Sequence, residues 1–423
     1  MDNISKFERK NTWIVNLLVC SFVCWPFVWS LWSFLRIPVE LLGAHFATIL
    51  IFIIAAVSLL SSPLKLKKSM LPWLVFYLVT LLEIGNANMQ VYLKDIGISL
   101  SAWIICATVG QRNYDRAKAV KCIRVIGMIV AVSVILEYSI HLFSGVLKPL
   151  FTSKALEVRN NSFGGGLFPY SSYAGCFLVP GLAALVIQQQ NRRKSPKFYI
   201  ETVIYVLSLI MIRKRGFILD IVVGVLFLLC LDIRRPGKKI VLRKNKAFIT
   251  LISIVASLLL VFVLYSYVPF IRTATDSLLT KFYEEDGDFS GRDRLYELAL
   301  SIFRGNMLTG IGWGQFRALS EGIFSYASKK TYEVHNVYLQ LLCENGIVGL
   351  VSFLLATGSV LIYTSRKYLR LAAEGKEAAE RRAMVKLAVF MQIFFLAYCI
   401  SGNPLYDYNF AVTYFIGVLL AFA

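Results

Sequence analysis

Charged residues are scarce in this chain of 423 residues, and acidic residues are the scarcer kind. Lys and Arg number 45 against 25 Asp and Glu, and charged residues together make up only 17%. A soluble domain carries about a quarter charged and about half apolar residues, whereas this chain is 57% hydrophobic. The apolar residues form long runs, such as 247–268. Because about 20 apolar residues span a bilayer, the composition predicts an integral membrane protein.

Several familiar chemical signatures are missing from the sequence. It has no HExxH, Walker or dinucleotide-binding motif, and its eight cysteines include no CxxC pair. Metalloprotease, nucleotide-dependent and disulfide-scaffold classes are therefore disfavoured. The net charge of +20 does not indicate nucleic-acid binding, because the basic residues form short clusters between apolar runs. Such clusters are typical of loops that set membrane topology.

The apolar runs predict an all-α fold, a polytopic bundle of about twelve transmembrane helices. The predicted spans are 12–34, 39–60, 70–84, 95–109, 122–145, 170–187, 198–212, 217–231, 247–268, 346–363, 383–400 and 408–423. We divide the chain into transmembrane helices 1–9 (residues 1–268), a large external catalytic loop with short amphipathic helices (269–345), and transmembrane helices 10–12 (346–423).

The basic clusters predict the orientation of the bundle. They recur in alternate connecting segments, including 65–68, 112–121 and 234–246. Lys and Arg are enriched in the short cytoplasmic loops of membrane proteins. We therefore expect both termini in the cytoplasm and the 269–345 loop on the outer face of the membrane.

Two arginines lie beside predicted helix N-termini on this outer face. Arg292 falls in the first turn of an amphipathic helix predicted over 290–303, and Arg215 directly precedes the span at 217–231. Helix N-termini favour anions, and arginine binds phosphate through two parallel hydrogen bonds. A pyrophosphate clamp and an anchor to lipid headgroups are both compatible with these positions. Lys214 and Arg294 are secondary candidates.

His335 is the only histidine of the long loop, since His45 and His141 lie in predicted spans. Imidazole is the side chain best suited to accept a proton near neutral pH. Asn336 is expected to cap a short helix that ends at residues 345–346. A general base and a structural histidine are both open interpretations, and Asn336 and Tyr338 are secondary candidates.

Three further external segments have competing interpretations. The acidic run 284–288 could hold a divalent cation, but its glycine-containing tip favours a solvated turn. The glycines of 310–314 predict a sharp turn, because no Lys-Ser/Thr pair follows them as in a phosphate loop. Arg159, near the glycine run 164–166, is another secondary candidate for substrate binding.

Four motifs in fixed order resemble the O-antigen polymerase and ligase superfamily. They are Arg292-Asp-Arg-Leu-Tyr-Glu-Leu-Ala-Leu, Leu308-Thr-Gly-Ile-Gly-Trp-Gly-Gln-Phe316, His335-Asn-Val-Tyr-Leu-Gln and Glu344-Asn-Gly-Ile-Val-Gly349. Upstream, Arg215-Gly216 resembles the family's Ser-Arg-Gly turn, with Lys214 in place of the usual Ser or Thr. Residues 165–169 resemble its glycine-proline segment. Glu344, Gly346 and Gly349 are expected to be scaffold.

The resemblance implies a membrane glycosyltransferase that polymerises polyprenyl-pyrophosphate-linked repeat units of O-antigen, capsule or exopolysaccharide. It implies a protein of the bacterial cytoplasmic (inner) membrane and inverting transfer at the outer face of that membrane, with no metal and no other cofactor. Arg215 and Arg292 would hold the pyrophosphate, and His335 would be the catalytic base. The implied partners are the lipid-linked glycan donor and acceptor, membrane lipid, a chain-length regulator and a flippase, with no nucleic acid.

Two alternatives remain at this point. An O-antigen ligase uses the same donor but transfers the finished glycan to lipid A-core or protein. A lipid-linked oligosaccharide flippase would instead be expected to have broken helices and charges deep in the membrane. The position of the notable charges in external segments favours the transferases.

Overall fold

The computed structural model describes residues 2–32, 40–41, 44–140, 165–168, 171–189, 195–212, 214–233, 292–321, 323, 331–374 and 378–422. Within these ranges every regular element is helical except a two-residue hairpin of β1 (Glu40–Leu41) and β2 (Ala44–His45). The predicted span 247–268, Arg159 and the acidic run 284–288 lie outside the described residues.

Thirteen α-helices follow one another in the described ranges. They are α1 (Asp2–Trp32), α2 (Phe46–Ser61), α3 (Leu71–Leu82), α4 (Met89–Thr108), α5 (Arg116–Ile140), α6 (Ser171–Gln189), α7 (Pro196–Met211), α8 (Arg215–Ile233), α9 (Arg292–Gly305), α10 (Gln315–Leu319), α11 (Val337–Ala373), α12 (Ala379–Ser401) and α13 (Tyr408–Phe422). Short 3₁₀ turns at Lys68–Met70, Ile84–Asn86 and Val109–Gln111 flank α3 and α4.

Six of the described helices are long and apolar enough to cross a membrane. They are α1, α4, α5, α6, α11 and α12, and three shorter apolar helices, Thr48–Ser61, Lys68–Leu82 and Tyr408–Phe422, accompany them. The predicted helical membrane fold is therefore confirmed. Eleven of the twelve predicted apolar runs coincide with a described helix, while the number of spans and the side of the membrane on which the loop lies stay predictions.

Aromatic packing around α13 forms the centre of the bundle. Nearly every residue of α13 is buried, and the helix packs against α1, α4 and α12. The Trp73 ring of α3 lies 4.9 Å from Phe415 and 5.7 Å from Tyr414, and its far side meets Phe353 of α11 at 6.2 Å. Such rings bury a large apolar area each, and the edge-to-face contact of Trp73 with Phe353 is an arrangement that aromatic pairs prefer.

Two ion pairs join charged residues that lie inside helices of the bundle. The Nζ atom of Lys386 in α12 lies 3.0 Å from Oδ2 of Asp232 in α8. Arg124 of α5 and Glu201 of α7 make a similar contact at 3.0 Å. Because an unpaired charge is costly inside a membrane protein, these pairs fix which helices are neighbours.

Candidate functional site

The glycines of 310–314 form a tight turn that packs onto α11. Gly310, Gly312 and Gly314 have φ of 72°, 101° and 75°, a left-handed region that only glycine adopts without strain. The backbone N–H of Gly312 donates to the Glu344 carbonyl at 2.8 Å. The predicted sharp turn is confirmed.

Glu344 and Gly346 lock this turn to the bundle. The Glu344 carboxylate accepts a hydrogen bond from the backbone N–H of Phe316 at 3.1 Å. Gly346 has φ of 62° and kinks α11, and a Cβ at this position would collide with the Leu308 carbonyl. The short helix therefore ends at this glycine, as the sequence predicts, but the chain continues without a break as the second part of α11. These contacts support a scaffold role for Glu344 and Gly346.

The apolar face of α9 packs against side chains of α10 and α11. Leu295 and Ala299 are buried in a small separate core with Phe316, Val334 and Cys343. The predicted amphipathic helix is observed as α9, with Arg292 in its first turn, while the predicted start at Ser290 lies outside the described residues. Arg294, only two positions further, is exposed on the outer side of α9. The helix thus presents one of its two early arginines to the bundle.

His335 is held in an unusual backbone conformation directly before α11. Its φ is 59°, and it is the only non-glycine residue with positive φ in the described part of the chain. On one side the buried Val334 donates its N–H to Gln340 at 3.3 Å. On the other side, Asn336 caps α11 by accepting from the N–H groups of Tyr338 and Leu339 at 3.0 and 3.1 Å. Strained residues of this kind concentrate at functional sites.

Ser401, the last residue of α12, brings two predicted anion-binding elements together. The Nη1 atom of Arg292 donates to the Ser401 carbonyl at 3.2 Å. A Cβ on Gly216, in the first turn of α8, would lie 3.2 Å from Ser401 Oγ. Arg215 begins α8, so the helix N-terminus that carries it and the Arg292 guanidinium meet at one point. A guanidinium has five N–H donors, so the bond to Ser401 leaves donors for an anion.

The imidazole of His335 lies within the electrostatic field of this cluster. Burial, followed by the positive charges of Arg292 and Lys214, lowers the pKa of His335 to about 4. A neutral imidazole has a lone pair that can accept a proton. Because an opposite charge favours the protonated form, an anion bound beside Arg292 and Lys214 would raise this pKa.

Two carboxyl groups lie in the segments around the site: Glu333 precedes His335 in the chain, and Asp407 follows α12. Glu333 accepts a hydrogen bond from the Nδ2 atom of Asn403 at 2.7 Å, and burial raises the pKa of its carboxyl group. Asp407, on the turn between α12 and α13, accepts from the N–H of Asn409 at 3.0 Å. Burial raises the pKa of Asp407 to about 7. Burial therefore disfavours the charged form of both carboxyl groups.

The structure brings together some of the predicted site residues and separates others. Arg292, Lys214, His335 and the N-terminus of α8 converge, whereas Arg294 faces away. Asn336 and Tyr338 have structural contacts, with the Tyr338 hydroxyl donating to the Leu396 carbonyl at 2.9 Å.

Sequence reasoning missed three polar positions of this cluster: Ser401, Asn403 and Asp407. All belong to the Ser401-Gly-Asn-Pro-Leu-Tyr-Asp407 connection between two apolar runs. That connection contains no basic residue and matched no motif, so only its polar composition between two spans could have marked it. The residues that lie beside this connection in space are determined by the packing of α12 against α8 and α11.

The site lies largely within a recognisable sequence domain. Residues 200–354 match the family model of the O-antigen ligases. The matched segment includes Arg215, Arg292 and His335. The match confirms the resemblance to the O-antigen polymerase and ligase superfamily that the motifs indicated. No curated protein matches the chain. The family and the apolar helices together indicate a bacterial membrane protein that carries out glycosyl transfer on lipid-linked glycans.

Proposed function

We propose that this protein polymerises polyprenyl-pyrophosphate-linked oligosaccharide repeat units at the outer face of the membrane. The observation that carries this proposal is that Arg292 and the N-terminus of α8 meet at Ser401, while His335 lies within the influence of the charges of Arg292 and Lys214. The reaction needs fixed positive groups at a departing pyrophosphate and a base at an attacking hydroxyl. This cluster offers both functions within one site.

Pyrophosphate would bind between Arg292, Arg215 and Lys214. The leaving group gains negative charge as the glycosidic C–O bond breaks, so preorganised donors stabilise the transition state more than the ground state. The positive end of the α8 dipole adds to the same field. The positive groups supply the charge stabilisation, which is why we propose that no metal ion is needed.

His335 would accept the proton of the acceptor hydroxyl. The hydroxyl oxygen attacks the anomeric carbon, its proton moves to an imidazole nitrogen, and the bonding electron pair leaves with the pyrophosphate. One displacement inverts the anomeric configuration. The low pKa of His335 keeps the imidazole neutral before the donor binds, and the bound pyrophosphate would make it a stronger base.

Purified protein and a single lipid-linked repeat unit provide the direct test. A polymerase extends its own donor, so a ladder of lengthening lipid-linked glycans should form without any other acceptor. If no ladder forms but glycan is transferred when lipid A-core or an acceptor protein is added, the protein is a ligase. That second function has one observation in its favour, since the matching family model is described for O-antigen ligases.

The clamp can be tested with a matched pair of variants on α9. Arg292→Lys keeps the positive charge but loses the planar fork, and we expect turnover to fall about 10- to 100-fold. Arg294→Lys, two residues away and exposed, should retain wild-type activity. Arg215→Lys should resemble Arg292→Lys. Donor binding should weaken in both clamp variants, because the pyrophosphate is charged before reaction as well. Equal activity of the Arg292→Lys and Arg294→Lys proteins would return Arg292 to a structural or headgroup-binding role.

His335→Asn is the most informative variant for the base. Asparagine tolerates positive φ, so the backbone before α11 should be retained while the imidazole is lost. We expect a decrease of about 10²- to 10⁴-fold in turnover with near-normal donor affinity. Near-normal polymer formation by this variant would contradict the base assignment.

A further inference from the structure

A groove of about 660 Å³ lies at the end of the bundle opposite Ser401. Helices α5 and α12 both pack against α6, and the groove lies between them, with the beginning of α7 at its end. Its wall includes Ala379 at the start of α12, whereas Ser401 ends the same helix. At 1.5 Å per residue along α12, the lining residues Leu387 to Ala379 lie about 21 to 33 Å from Ser401. The groove is therefore a separate feature.

The inner part of the groove is apolar and lies along one face of α5. Val125, Met128 and Ile129 line it from α5, and Met384 and Leu387 line it from α12. Val125 and Ile129 are 47% and 45% exposed, even though they lie in the middle of an apolar helix. From Lys121 to Ile129 this wall extends about 12 Å. Its size is within the usual range of small-molecule sites, about 300–1,000 Å³.

Charged side chains gather at the outer end of the same groove. Lys121, Arg124 and Lys197 lie on the α5 and α7 wall. Glu201 is shared by two of them, at 3.0 Å from Arg124 and 3.9 Å from Lys197. Lys121 has no ion pair among the residues that the structure describes, and Glu380 lies on the opposite wall. Three cations against two carboxylates leave one positive charge at the mouth.

We infer that this groove binds one anionic phospholipid. Its phosphate lies beside Lys121 and the Arg124–Glu201–Lys197 group, and one acyl chain follows Val125 and Ile129 toward the middle of the bundle. The single excess charge matches a phosphodiester, and the apolar wall matches a hydrocarbon chain. Basic pockets between transmembrane helices bind lipid headgroups in this way. The site is independent of the proposed polymerase activity and does not require it.

Purified full-length protein in detergent, stripped of lipid, allows a direct test. Phosphatidylglycerol, phosphatidylcholine with the same acyl chains, and inorganic phosphate are titrated separately, with bound lipid counted by native mass spectrometry and stability followed by thermal unfolding. We expect one saturable phosphatidylglycerol site that raises Tm, weaker binding of phosphatidylcholine, and no effect of phosphate. Lys121→Ala should weaken phosphatidylglycerol binding about fivefold, the effect of about 1 kcal/mol per basic residue near a lipid surface.

Lys118→Ala is the matched control, because Lys118 is on the same helix, 65% exposed, and paired with Asp115 rather than with the groove. It should bind the lipid as the wild type does. Ile129→Trp should fill the groove and abolish the saturable site while leaving the lipid-free Tm close to wild type. Equal binding of the two lipids, an equal effect of phosphate alone, or equal losses in Lys118→Ala and Lys121→Ala would each overturn the inference. Unchanged lipid binding by a folded Ile129→Trp protein would also overturn it.

Discussion

Replacing Lys214 with glutamine should raise the pKa of His335 and move the acidic limb of the pH–activity profile upward. Burial, then Arg292, then Lys214 lower this pKa from 6.5 to about 4. Lys214 is the smallest of the three causes and is exposed to solvent. Because exposed charges are screened, its removal should raise the pKa of His335 by about half a unit or less. Lys214 also borders the proposed pyrophosphate site, but unlike Arg292 it has no role in the contact with Ser401, so Lys214→Gln changes the charge near His335 with less disturbance of the packing.

The assay is polymer formation by purified protein as a function of pH. A base must be neutral to accept a proton, so activity is lost as pH falls through the pKa of His335. The limb in kcat/KM reports the unliganded protein and should lie near pH 4 to 5, whereas the limb in kcat reports the donor complex. Bound pyrophosphate offsets the nearby positive charges, so the kcat limb should lie at higher pH. A kcat limb below the kcat/KM limb, or a downward shift in Lys214→Gln, would refute this electrostatic reasoning.

The same shift has a consequence for stability. An unfolded histidine titrates near pH 6.5, so between about pH 6.5 and pH 4 the unfolded state binds the extra proton and stability falls as pH falls. The full shift corresponds to about 3 kcal/mol, which the partial exposure of His335 reduces. Asp407, with its raised pKa, has the opposite sign and loses stability as pH rises toward 7. The comparison is therefore between wild type and His335→Asn, whose difference in unfolding free energy should depend on pH only in this window.

Four other measurements test separate parts of the structure. Gly346→Ala should lower Tm strongly and reduce folded yield, because the added Cβ would collide with the Leu308 carbonyl and alanine is strained at positive φ. An unchanged Tm would contradict the kinked conformation at Gly346. Asn336→Ala should cost about 1 kcal/mol of unfolding free energy through loss of the α11 cap. Polymerisation should continue in excess chelator, and loss of activity that Mg²⁺ or Mn²⁺ restores would implicate a metal. Thr309→Cys should react with an impermeant thiol reagent in intact cells, and Lys65→Cys only after lysis; the reverse pattern would invert the proposed topology.

The apolar runs were sufficient to predict most of the described helices. Hydropathy reflects a local requirement, since each backbone group in a membrane must be satisfied within its own helix. The position of Arg292 in the first turn of α9, the cap at Asn336 and the turn at 310–314 were also predictable, because capping and positive φ depend on nearby residues. The boundary at Gly346 was predicted less well. The sequence pattern predicted that a helix ends there, whereas in the structure α11 continues after a kink at Gly346.

The sequence by itself determined the membrane class, the positions of the helices and the residue types suited to pyrophosphate and proton transfer. Only the tertiary structure decided which of those residues meet. Arg292 contacts Ser401, which is 109 positions away in sequence, while Arg294 on the same helix is exposed. The shared position of Arg292, the α8 N-terminus and His335, and the low pKa that results, depend on how α8, α9, α11 and α12 pack. Electrostatic energy depends on distance in space and on burial, and neither quantity can be read from the spacing of residues along the chain.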